Sequence, residues 1–108
     1  MIAYKIFSRL PNGKLGPITI DNLEYDPKYI MTRPDGYGPF ACFKNLKSVK
    51  DFGGYGSWEC LYKIKVKSSK ETKLWYPHNI YGEIQVPLYL TPKGTILADE
   101  FEILEEIK

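Results

Sequence analysis

Residues 37–67 constrain the fold of this chain more than any other stretch. At its end, WECLYKIKVK alternates strictly: Trp58, Cys60, Tyr62, Ile64 and Val66 point one way, and Glu59, Lys63, Lys65 and Lys67 the other. Leu61 breaks the pattern. A period of two with one apolar side predicts a strand in a sheet with one buried face. Upstream, PFACF predicts a short strand, and NLKSVKDF predicts a helix over 45–52 with Asn45 as its N-cap. Leu46, Val49 and Phe52 recur at helical spacing, with Phe43 just before them, and Gly53-Gly54 supplies the stop. Two turns of helix do not persist alone in water, so this one must pack on the sheet. The expected core is therefore Trp58, Cys60, Tyr62, Ile64 and Val66, with Phe43, Leu46, Val49 and Phe52 laid over them.

Shorter signals extend the sheet. Residues 2–8 alternate, with Ile2, Tyr4 and Ile6 on one face, and PNGK at 11–14 predicts a hairpin turn. Residues 15–20 would return as a short strand that Pro17 confines to an edge. Residues 21–38 are broken by Asp26-Pro27, Arg33-Pro34 and Asp35-Gly36, leaving room for a brief strand at 29–32. Residues 73–76 predict a strand, and 80–90, interrupted by Gly82 and Pro87, an edge or a bulge. The last segment is ambiguous. Phe101, Ile103, Glu105 and Ile107 alternate as in a strand, while Leu97, Phe101 and Leu104 also share a helix face. The preceding Pro and Gly favour the strand. The expected fold class is α+β: one domain of 108 residues, a mostly antiparallel sheet with one short helix on one face.

The nine Tyr, five Phe and two Trp lean the composition towards β structure. No window has the roughly 18 apolar residues that a membrane helix needs, and MIAYKIF lacks the layout of a signal peptide. A cytoplasmic protein without a membrane partner is the expectation. Cys42 and Cys60 are too few for a disulfide framework and are expected as free, buried thiols. Net charge is +2, unevenly spread: residues 1–98 carry 14 Lys and Arg against 8 Asp and Glu, whereas 99–108 carry five acidic residues against Lys108.

Known chemistries find little purchase. Two Cys with 17 residues between them and the single His78 do not make a zinc site, so no metal is expected. Cys42 or Cys60 meeting His78 would form a nucleophilic pair, but both cysteines lie in apolar runs that read as core. The glycine clusters at 36–38 and 53–56 lack the Lys-Ser/Thr of a P-loop and its strand–turn–helix order, so no phosphate cradle or cofactor is expected. Lys63, Lys65 and Lys67 form a basic stripe that would suit a single-stranded nucleic acid. They equally suit a solvated strand face that pairs with Glu100, Glu102 or Glu105.

Several segments together resemble a loose group of small uncharacterised proteins common in bacteriophages and prophages. They are Tyr4-Lys5-Ile6-Phe7, Gly38-Pro39-Phe40-Ala41-Cys42-Phe43 with the NLKSVKDF helix, Trp58-Glu59-Cys60, and Pro92-Lys93-Gly94-Thr95-Ile96-Leu97-Ala98-Asp99. Domains with a similar strand–helix–strand pattern resemble the ADP-ribosyltransferases, which would imply a nicotinamide-nucleotide pocket. The chain departs from that family where it matters, because no His–Tyr–Glu or Arg–Ser–Glu set occurs in order. The resemblance therefore implies no catalytic residues. The expected function is a non-enzymatic binding or interaction protein with a protein partner. A nucleotide- or NAD-like-ligand-handling protein and a single-stranded nucleic-acid binder are the alternatives. Loop tyrosines are the contact candidates, since Tyr dominates binding hot spots: Tyr25, Tyr29, Tyr37 and Tyr55.

Overall fold

The computed structural model describes residues 1–17, 25, 26, 28, 30–53, 55–78 and 80–108, without the side chain of His78. Among these residues eight strands and one α-helix follow in order: β1 (Ile2–Arg9), β2 (Leu15–Gly16), β3 (Ile30–Thr32), β4 (Phe40–Phe43), α1 (Leu46–Phe52), β5 (Glu59–Ser68), β6 (Lys73–His78), β7 (Gly82–Pro87) and β8 (Thr95–Ile107). Every pairing is antiparallel. The fold is thus a mostly antiparallel sheet with one short helix, as the periodicities predict.

The pairings do more than form a sheet. β5 pairs with β1 and with β8, β8 pairs with β4, and β4 pairs back to β1. The four strands close into a ring, with β2 added to β1 and β3 added to β8. β6 and β7 form a separate hairpin. Closure demands sharply bent strands, and β8 supplies the bends. Its register against β5 skips one residue between Glu105 and Ile103 and another between Glu100 and Ala98. Leu104 and Asp99 are the extra residues. These bulges break the period of two in β8, which is why the segment also reads as a helix.

Aromatic rings fill the barrel. Phe7, Tyr25, Phe40 and Phe101 are all buried. Phe40 and Phe101 meet edge-on at 4.7 Å, and Tyr25 stands edge-on to Phe101 at 5.4 Å and to Phe7 at 5.7 Å. Such geometries add to plain area burial. Ala3, Cys42, Cys60, Ile64, Val66 and Ala98 complete this cluster. A second cluster lies on the outside of the ring, where α1 sets Val49 against Ile6 and Leu61. Leu61, the break in the strand alternation, is the outward-facing residue that the helix covers.

The expected core needs three corrections. Trp58 is 81% exposed, because β5 begins one residue later and Trp58 belongs to the preceding turn, its carbonyl accepting from the Arg9 N–H at 2.9 Å. Leu46 and Phe52 are both nearly half-exposed. At about 100° per residue, three positions fall about 60° short of a full turn, so they flank Val49 and only Val49 faces the barrel squarely. Phe52 keeps a tilted contact with Phe43 at 5.4 Å. In β1 the burial extends to the face opposite to that expected: Ala3 and Phe7 point into the barrel, and Ile2 is exposed. Ile6 is nonetheless buried, because the helix covers it from outside. The helix ends themselves are as predicted. Asn45 Oδ1 accepts from the Ser48 N–H at 2.9 Å, and Gly53 takes a left-handed φ of 111° that favours glycine.

The β6–β7 hairpin is tied to the barrel by a chain of polar contacts. Arg33, next to β3, pairs with Glu71, which also accepts from Trp75 Nε1 at 2.8 Å. Arg33 Nε lies 3.4 Å from the buried Asp99 Oδ1, the bulge residue of β8, and no hydrogen bond reaches that oxygen. The Gly38 N–H donates to the Trp75 carbonyl at 3.1 Å, and a Cβ at Gly38 would lie 2.4 Å from that oxygen. The loop before β4 and the first half of β6 therefore lie backbone against backbone.

Replacing Phe101 by Ala should cost about 3–5 kcal/mol in chemical unfolding, as expected for an aromatic truncated inside a packed core. Phe52→Ala should cost about 1 kcal/mol, since about half the side chain is already in water. Equal costs would contradict the barrel core.

Candidate functional site

The closure of the ring is incomplete on one side. Along one edge of β1, β4 pairs only at Tyr4↔Phe43, and β2 pairs only at Ser8 and Arg9. Continuing the β4 register would set Cys42 opposite Lys5 and Ala41 opposite Ile6, but no such pairs form. Among the described residues Lys5, Ile6 and Phe7 thus have no strand partner on that edge; the expected continuation of β2 over residues 18–20 lies outside them. Lys5 fills part of the gap with its side chain: its Nζ donates to the Ala41 carbonyl at 2.7 Å. A side-chain ammonium stands where a ladder N–H would be.

A cleft opens at this seam. Its larger lobe is about 170 Å³ and is walled by Ile6, Cys42, Phe43, Phe52, Leu74 and Pro92. Its smaller lobe is about 40 Å³ and includes Tyr25, Tyr37 and Phe40 in its wall. Lys5, Pro17, Ala41 and Leu74 line both. Leu74 comes from β6, so the tethered hairpin forms part of the cover. A wider hollow beside Leu88 and Tyr89 is lined by five residues only and lies open to solvent.

The electrostatics of the cleft are unusual. Lys5 is partly exposed as a residue, yet its ammonium is surrounded by protein, and desolvation lowers its pKa. Among the described residues no carboxylate pairs with it. Its Nζ lies 5.7 Å from the centre of the Phe7 ring, which offers a weak cation–π contact. The Cys42 thiol is pushed up by burial and pulled partly back by the Lys5 charge. Tyr25 is 2% exposed, and burial, with Cys42 and Tyr37 nearby, raises its pKa far above the ordinary range. The Tyr25 hydroxyl makes no hydrogen bond among the described residues. Both groups hold their protons at neutral pH.

The four tyrosines expected as contacts separate. Tyr25 is a core residue, held by reciprocal backbone hydrogen bonds with Leu15, which removes it from any surface and sets it in the wall of the cleft. Tyr37 joins it there, partly buried. Tyr55 is exposed, in the turn that also carries Trp58. Tyr29 lies outside the described residues. Lys5 was missed because it occupies the polar phase of an alternating strand. The signal that could have found it is the apolar character of Ala3 and Phe7, two positions to either side, which marks that phase as facing the core.

Other candidates resolve more simply. Cys42 and Cys60 are free and buried, and burial raises both thiol pKa values. Among the described residues no three His, Cys, Asp or Glu side chains converge as a metal site, and no helix is long and apolar enough to cross a membrane. Lys63, Lys65 and Lys67 stand opposite Glu105, Glu102 and Glu100 across the β5–β8 ladder, with Lys63 Nζ 3.9 Å from Glu105. Each lysine of the stripe thus faces a glutamate of the neighbouring strand. Comparison with protein-family models, with curated proteins and with solved structures found no match.

Two outcomes follow. A fluorescently labelled single strand should bind no tighter than the 10⁻⁴–10⁻⁶ M range of non-specific association at physiological salt; submicromolar, salt-sensitive affinity lost on converting the three lysines to glutamate would contradict the pairing. The second concerns Lys5. Its folded pKa lies below its unfolded value near 10.4, so the cost of burying its charge is full below the folded value and gone above the unfolded one. The wild type should therefore gain stability relative to Lys5→Met as pH rises from neutral towards about 10.4. A stability difference that stays constant or moves the other way would contradict a buried ammonium.

Proposed function

We propose that this protein is a non-enzymatic binding protein whose ligand site is the cleft at the β1–β4 seam. The observation that carries the reading is the buried ammonium of Lys5, set in an apolar recess with one hydrogen-bond acceptor and no acidic partner among the described residues. A buried charge without compensation is costly, so its presence favours a role met by a bound partner. Binding is favoured over turnover because the groups around Lys5 are poor catalysts. The Cys42 thiol and the Tyr25 phenol are both held protonated by burial. A nucleotide suits the cleft less well: it needs a larger space than about 170 Å³ and more than one cation for its phosphate.

A second reading draws on the turn before β5. Trp58 is 81% exposed and Tyr55 is 43% exposed, while Glu59 braces the turn by accepting from the Gly56 N–H at 2.8 Å. An exposed Trp on a braced turn is the kind of anchor that protein interfaces use. Trp58→Ala should leave stability within about 0.5 kcal/mol and abolish capture of a protein partner that the wild type retains.

The cleft reading is tested by titrating a set of small uncharged and charged compounds into isotope-labelled protein. Binders should shift the amide signals of Lys5, Ala41, Cys42 and Phe43 and raise the melting temperature. Shifts confined to surfaces away from the seam would overturn the assignment.

A further inference from the structure

The chemistry of the cleft narrows its ligand, an inference that rests on the binding reading above. Among the described residues lining the two lobes, Lys5 is the one charged side chain. Its ammonium carries three donors and spends one on Ala41. Tyr25, a buried residue whose hydroxyl makes no hydrogen bond among the described residues, belongs to the wall of the lobe that Lys5 also lines. Thr91 and Thr95, on the rim of the larger lobe, already donate their hydroxyls to the Leu88 and Pro92 carbonyls, so they are not free to donate to an anion. Apart from Ala41 and the protonated Cys42, the remaining described walls of the larger lobe are Ile6, Pro17, Phe43, Phe52, Leu74 and Pro92. The seam therefore offers one positive charge, one phenol donor and an apolar recess, where β1 and β4 pair through a single residue pair.

We infer that the cleft takes a small monocarboxylate, its head paired to Lys5 and its apolar body seated in the larger lobe. The single charge sets the head. A carboxylate brings one negative charge and acceptor lone pairs that match the spare donors of Lys5 and the Tyr25 hydroxyl. A phosphate dianion would leave a charge uncompensated. The volume sets the body. A dry cavity of about 150 Å³ holds a benzene ring, so a lobe of about 170 Å³ admits a single ring or a chain of about six carbons. Binding would bury the walls that are now half-exposed, Phe52 among them.

The experiment is a calorimetric and NMR titration of the wild-type protein with matched pairs: hexanoate against hexanol, and benzoate against benzyl alcohol. Each carboxylate should bind about tenfold or more tightly than its alcohol, the expectation for a charge-assisted hydrogen bond. Affinity should rise from acetate to hexanoate and rise no further at decanoate. Lys5→Met should erase the preference for the acid, and Tyr25→Phe should reduce it severalfold. The acid–alcohol comparison needs no variant, so a Lys5→Met protein that fails to fold leaves the test intact. Alcohols that bind as well as acids, or acids that bind Lys5→Met unchanged, would overturn the carboxylate assignment while leaving a ligand-binding cleft. Failure of acids and alcohols alike to bind at the seam at about 10 mM would overturn both.

Discussion

The architecture depends on a ring of strands that closes through one residue pair. Tyr4↔Phe43 is the whole of the β1–β4 ladder. Elsewhere the ring is firmly made, with β5 paired to β1 over seven positions without interruption and to β8 nearly end to end. Closed barrels remove the exposed edges that make sheets prone to aggregation. Here closure is achieved at a cost in continuity. Among the described residues Lys5–Phe7 of β1 find no strand partner on this edge, and a lysine side chain bridges the gap to Ala41. The cleft follows from that break rather than from any inserted loop.

The same break explains the charge in the interior. Backbone carbonyls that face an unmade ladder need donors. An ammonium supplies one, but its own desolvation is expensive when no acid stands beside it. Around this weak side, the fold places its strongest packing and its cover. Phe7, Tyr25, Phe40 and Phe101 lock the interior edge-to-face. Asp99, Arg33, Glu71 and Trp75 hold the β6–β7 hairpin so that Leu74 stands over the seam. Glu71 is held below the ordinary carboxylate range, chiefly by its hydrogen bond from Arg33. Its contribution to docking the hairpin is therefore present at neutral pH and fades only as pH falls below about 4.3.

Much of the fold was legible in the residues, for reasons of local physics. The β5 alternation, the Asn45 cap and the Gly53 stop are short-range signals, and the structure carries all three. The failures share a cause, which is that burial depends on distant partners. Trp58 continues the β5 pattern by type but falls in the turn. Leu46 and Phe52 are apolar at helical spacing but lie to either side of the contact that Val49 makes. Leu104 and Asp99 disguise β8 because bulges break its period. Ring closure itself, which pairs strands far apart in sequence, leaves no mark on local periodicity. The site was hidden more deeply, since a lysine in the polar phase of a strand looks solvated until a second layer covers the other face as well. Tyr25 and Tyr37 were singled out as loop tyrosines, and they meet at the cleft instead of at a surface.

The central claim is that Lys5 is a desolvated ammonium with no acidic partner among the described residues. The most direct measurement is a pH titration of the Lys5 side chain by carbon-detected NMR on ¹³C-labelled protein, with and without hexanoate. The account predicts a midpoint below the ordinary lysine value near 10.4 in the free protein, and an upward move when the carboxylate binds, because a nearby opposite charge favours the protonated amine. An ordinary lysine midpoint that hexanoate leaves unchanged would contradict it.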